Sequence, residues 1–160
     1  MTQASDIRGV TLCTQEGGLA AGTTSTYTTA TVVRGSIGGK FATELAAQTN
    51  TATPTTDFNG DAFTALAASK GCIFVFSIIA AGTIAIHQGS VQTLDAGNLF
   101  AIAPEFPAID LETYLPFAYV VAKNASTGSA WTFGASNWTA TGLTDTYTDV
   151  TTLPQRPQIL

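Results

Sequence analysis

The sequence predicts an all-β fold, an antiparallel β-sandwich or jelly-roll-like barrel with extended N- and C-terminal arms. Three observations carry that reading. Residues 71–94 (GCIFVFSIIAAGTIAIHQGSVQTL) hold a run of β-branched and aromatic residues too short for a convincing helix, then a turn at Ala81 and Gly82, then a more mixed run. About eight such runs follow one another along the chain, separated by turn residues in the manner of a sandwich or barrel. No helical periodicity of ordinary length occurs.

Taken in order, residues 1–22 are polar and broken by Gly17, Gly18 and Gly22, so they are expected to form an arm in which only residues 10–12 could join a sheet edge. The sandwich domain is expected over residues 23–150. Residues 24–36, dense in Thr, Tyr and Val, suit one or two half-exposed strands. Gly38 and Gly39 tolerate the positive φ angles of a two-residue hairpin turn that returns the chain through residues 40–45. Residues 46–61 carry Pro54 and no periodicity, which predicts a long surface loop. Phe63 and Leu66 bring the chain back inside, and one helical turn is expected over residues 65–70.

The run 72–79 has almost no polar member and predicts a strand buried on both faces, with residues 83–94 as its hairpin partner nearer water. A turn at residues 95–98 leads to a short strand at 99–103, and Pro104 and Pro107 stiffen an extended crossover. Residues 115–123 (LPFAYVVAK) form the third strongly apolar strand, and shorter strands are expected at 130–135, 138–141 and 147–150. The end, residues 151–160, holds Pro154 and Pro157 and is expected to be an extended tail. Ten extended residues reach about 33 Å, enough to touch another subunit.

The chain has 160 residues, the size of one domain with a core that needs no staples. Only 11% of the residues are charged, less than half of the roughly 25% usual in globular chains. A surface of that kind fits either faces covered by neighbouring molecules or a Thr-rich β-protein whose hydroxyls meet water. Net charge is −5, and the basic residues Arg8, Arg34, Lys40, Lys70, Lys123 and Arg156 are scattered. They make no stripe for phosphates, so direct nucleic-acid binding is not expected. No apolar run approaches a membrane span and no secretory leader is evident, so the chain is expected to be made in the cytoplasm without membrane association. Cys13 and Cys72 are expected as free thiols, with Cys72 a small buried hydrophobe.

No catalytic, cofactor or metal site is assigned. Asp57, Asn59 and Asp61 alternate as at the start of a calcium loop, but Ala62 and Ala68 stand where the loop needs Gly and Glu, so an Asx-type turn is expected. His87 is the single histidine and reads as a hydrogen-bonded residue at the sheet surface. Glu105, Asp110 and Glu112 are close in sequence, yet nothing sets two carboxylates face to face. Trp131, Phe133, Trp138 and Tyr147 could stack on sugar rings if exposed; shared alternation of Trp131 and Phe133 predicts core packing. Asn124 and Asn137 begin sequon-like triplets that a Thr-rich chain produces by chance. The chain is therefore expected not to be an enzyme.

The segments AAGTTSTYTTAT (residues 20–31), TPTTDFNGDAF (53–63), GCIFVFS (71–77), QGSVQTLD (88–95), LPFAYVVAK (115–123), WTFG (131–134) and YTDVTTLPQRPQ (147–158) resemble, in kind and order, those of small virion structural proteins of tailed bacteriophages. Within that group the chain is most similar to head decoration, or cement, proteins. The resemblance implies a protein on the capsid exterior, often trimeric, that clamps neighbouring major capsid subunits, with the arm 1–22 and the tail 151–160 making inter-subunit contacts. A tail or fibre component is the alternative within the same class. A glycan-binding β-sandwich module is the alternative outside it.

Overall fold

The computed structural model describes residues 9–42 and 44–157. Eleven strands are present among them: β1 (Leu12–Gln15), β2 (Leu19–Ala21), β3 (Thr26–Thr29), β4 (Arg34–Ile37), β5 (Lys40–Phe41), β6 (Gln48–Ala52), β7 (Lys70–Ile79), β8 (Ile84–Gln88), β9 (Gln92–Thr93), β10 (Tyr114–Asn124) and β11 (Leu143–Asp149). Every paired strand is antiparallel, and the described residues contain no helix. The all-β antiparallel class predicted from the sequence is the class observed.

The main sheet has the order β11-β10-β7-β8, with β9 pairing the start of β7. Two three-stranded sheets, β1-β4-β5 and β2-β3-β6, complete the set. β7 and β10 are the long central strands, and almost every residue of both is buried. Their near-continuous apolar sequence follows from that position, because a strand covered on both faces has no side to give to water. Residues that alternate along them feed two separate cores. Cys72, Phe74, Phe76 and Ile78, with Phe117, Val120 and Ala122, face Tyr27, Val33 and Ile37 of the smaller sheets and the aromatic segment 131–138. Ile73, Val75, Tyr119 and Val121 face Phe100, Phe106, Ile109, Val150 and Leu153. The stiff connection after β9 and the chain beyond β11 therefore cover the second face.

Local chemistry explains the joints. Gly38 and Gly39 take φ of 55° and 78° in the two-residue turn that pairs Ile37 with Lys40. Gly82, at φ 78°, closes the β7–β8 turn, where its amide donates to the Ile79 carbonyl. The β7–β10 register shifts between Pro116 and Ala118, so Phe117 is the extra residue of a bulge and its ring still reaches the first core. At Gly35 a Cβ would come within 2.4 Å of the Leu115 side chain, so only glycine lets β4 lie this close to β10.

Several expectations are corrected. Within the segment expected to be an arm, β1 and β2 are sheet strands that pair with β4 and β3; residues 1–8 lie outside the described residues. The expected loop 46–61 contains β6, an edge strand without large apolar residues held by its ladder with β3 and by the Gln48 amide donating to Thr29 Oγ1 (2.9 Å). Residues 65–70 form no helical turn, because Leu66 pairs in both directions with Trp131 through backbone hydrogen bonds. The expected strands at 99–103, 130–135 and 138–141 reduce to single bridges at Phe100 and Trp131 and a series of turns. Of the tail 151–160, Leu153 packs on the second core and the Thr151 carbonyl accepts from the Cys13 amide, while residues 158–160 lie outside the described residues.

Phe74 is fully buried, stacks on Phe133 at 4.4 Å and meets Phe63 and Trp131 edge-on. Phe74→Ala is expected to lower the unfolding free energy by about 3–5 kcal/mol, read as a shift of the urea midpoint at unchanged slope.

Candidate functional site

The single histidine lies on β8 opposite Val75 of β7, on the face of the second core. It is fully buried, which corrects the expected surface position, and neither ring nitrogen has a hydrogen-bond partner. Its ring is held by aromatics instead. Phe58 stacks on it at 4.4 Å and 28°, and Tyr114 meets it edge-on at 4.7 Å. The Ser77 hydroxyl, on the same face of β7 one pair along, is also buried and unpartnered. Burial lowers the His87 pKa from its ordinary value to about 4, against a smaller opposing pull from the Asp57 carboxylate. The imidazole is therefore neutral near pH 7, and no hydroxyl or carboxylate is hydrogen-bonded to it as a nucleophile–base pair requires.

Phe58 is carried by the DFNGD turn, and here the Asx reading holds. Asp57 Oδ1 accepts from the amides of Asn59 (2.8 Å) and Asp61 (2.9 Å), and the Asp57 amide donates to the Asp61 carbonyl. The Phe58 amide donates to the Ile86 carbonyl at 3.0 Å and ties the turn to the outer edge of β8. A cavity of about 290 Å³ opens beside it, lined by Asp57, Phe58, Ile84, Ile86 and Tyr114 among others. Among the described residues no three His, Cys, Asp or Glu side chains are grouped as metal ligands.

The other candidates are placed separately. Asp110 is spent on its own turn, where hydrogen bonds from the Thr113 hydroxyl and the Glu112 amide lower its pKa; it is fully exposed. Trp131, Phe133 and Trp138 are buried in the first core, and the two indoles donate to the Asn137 and Thr26 carbonyls. These two tryptophans cannot serve as a sugar-stacking platform. Tyr147 packs edge-on against Trp138, and burial next to the Asp145 carboxylate pushes its pKa up. Asn124 is buried and its amide donates to the carbonyls of Leu66 and Ser129 (2.8 Å each), so its triplet is structural. Both cysteines are free and buried, and burial raises the Cys72 thiol to about 12.

The surface holds what the sequence did not flag. Phe41, on edge strand β5, is 89% exposed, and Val10, Leu99, Ile102 and Leu111 are also exposed. Ile37, Lys40, Leu111 and Glu112 help line a concavity of about 510 Å³. A lone apolar residue in a polar, turn-rich stretch gives no sign in sequence of facing outward. One ion pair occurs among the described residues, Arg34 Nε to Glu44 at 2.6 Å, and both side chains are about half exposed, so it adds little stability.

No protein-family model matches the chain, and no match is found among curated proteins or among solved structures. Fold and surface together define an all-β antiparallel domain with few charged residues, several exposed apolar side chains, and one unpartnered buried histidine.

Two outcomes check this placement. Neither thiol is expected to react with a disulfide reagent at pH 8 in the folded protein, and both are expected to react in denaturant. Asn124→Ala removes two hydrogen bonds, to the Leu66 and Ser129 carbonyls, and is expected to cost about 2 kcal/mol, measured by urea unfolding.

Proposed function

We propose that the chain is a structural protein of a tailed-bacteriophage virion, most similar to a head decoration protein. In this reading it binds the outer surface of the assembled capsid as a homo-oligomer, a trimer, and holds neighbouring major capsid subunits together. The sheets then form a sandwich of the jelly-roll kind, and the two chain ends contribute inter-subunit contacts. One observation carries the proposal. A β-scaffold with few charges presents exposed apolar side chains, Phe41 on the edge strand β5 and Leu111 in the lining of a concavity, and exposed apolar surface of this sort marks contact surfaces.

The mechanism is mass action. A protein that binds the assembled shell and not its dissociated subunits shifts the equilibrium toward assembly, and many copies add their contributions. No bond needs to be made or broken. A tail or fibre component would use the same surface chemistry. The glycan-binding alternative loses its motivation, since Trp131 and Trp138 point into the core.

The test is co-sedimentation of the purified protein with empty mature shells, alongside its mass in solution. Saturable binding to shells is expected. Burying a phenyl ring is worth about 1.5–3 kcal/mol, so Phe41→Ser is expected to weaken binding about 10- to 100-fold at unchanged stability. A monomer that leaves shells bare at micromolar concentration would refute the proposal.

A further inference from the structure

The His87 imidazole is fully buried with two unpartnered nitrogens, a costly placement for a polar ring. The turn at residues 57–61 packs over it. Phe58 covers the ring at 4.4 Å and is itself 39% exposed, and it sits on a turn tied to β8 by the Phe58 amide. We propose that the turn at residues 57–61 is an acid-opened latch: protonation of His87 releases Phe58 from the sheet and exposes the imidazole.

The surroundings give the direction of the switch. The turn contributes the Asp57 carboxylate, the one charge that acts on the ring. β10 contributes the Tyr114 phenol, edge-on to it, and β7 contributes the uncharged Ser77 hydroxyl and Val75. Tyr119 lies on the same face beyond Val75. In the closed state an imidazolium has no acceptor, while lifting the turn gives it water and leaves Asp57 nearby on the mobile element. Closure therefore selects the neutral ring, and opening accepts the cation.

The linkage has a definite sign. A histidine whose closed-state pKa is about 4 and whose open-state pKa is the ordinary 6.5 binds more protons when open. The closed state is fully favoured above the open-state value and loses ground as pH falls toward the closed-state value. Across that window the open population rises about tenfold per pH unit. The Asx hydrogen bonds within the turn can persist throughout, so the turn lifts as a unit once the hydrogen bond from the Phe58 amide to the Ile86 carbonyl breaks.

The test uses the full chain, whose single histidine gives one unambiguous NMR titration. His87 is expected to titrate near pH 4. The Phe58 amide is expected to exchange hydrogen faster than the β7 and β10 amides, with an opening constant that rises about tenfold per unit below pH 6.5. In Phe58→Ala the His87 pKa is expected to climb toward 6.5, and in His87→Phe the Phe58 exchange is expected to lose its pH dependence. A His87 pKa near 6.5 in the native chain would overturn the latch. So would a Phe58 amide that opens only with global unfolding, or a Phe58→Ala variant whose histidine still titrates near 4. If His87→Phe does not fold, the native and Phe58→Ala titrations decide the matter, and neither depends on shell binding.

Discussion

The ladder between β7 and β10 is the constraint on which the rest of the molecule rests. The two strands run antiparallel along nearly their whole lengths, interrupted only at the Phe117 bulge, and both are buried on both faces. Their backbone groups pair with each other and with β11 and β8 outside them, as buried main chain requires. Large side chains can then point in both directions. Each such residue contributes about 1.5–3 kcal/mol on leaving water. The smaller sheets, the aromatic turn at 131–138 and the strap around Phe106 are held by what these two strands present to them.

That arrangement decides which parts were legible in the sequence. CIFVFSII and LPFAYVVAK announce doubly buried strands because continuous apolar character in a short β-prone run has few other uses, and Gly38-Gly39 announces its turn through the sign of φ. The polar strand β6 was hidden, since QTNTA gains its place from pairing with β3 and from Thr and Gln side-chain hydrogen bonds, and not from a buried face. The segment around Trp131 misled in the opposite direction. Its apolar residues are buried as their type suggests, but they hang from turns anchored by indole and amide hydrogen bonds, so strand periodicity there was coincidental. For the site, the Asx turn could be read from DFNGD alone. The stacking of Phe58 on His87 could not, because it joins residues whose separation in sequence carries no signal.

Hydroxyl groups stand in for the missing charges. Thr28, Thr29 and Thr31 each take up a main-chain or loop partner, with Thr31 donating to the Glu16 carbonyl at 2.7 Å and Thr28 accepting from the Asn50 amide. Neutral bonds of this kind fix loops without desolvating ions. They also leave an exterior with few charges. His87 is the exception to this economy, a buried titratable ring on which the Asp57 carboxylate is the one charge that acts.

One pairing across the whole chain has a further consequence. The Cys13 amide reaches the Thr151 carbonyl, and the Leu19 amide reaches Asp149 Oδ1 at 3.1 Å, so the earliest strands are fastened to the last. During synthesis β1 and β2 emerge before residues 149–151, and their ladder partners β4 and β3 follow them closely. The bonds to residues 149 and 151 therefore close late, and that step of folding waits on contacts between residues far apart in sequence.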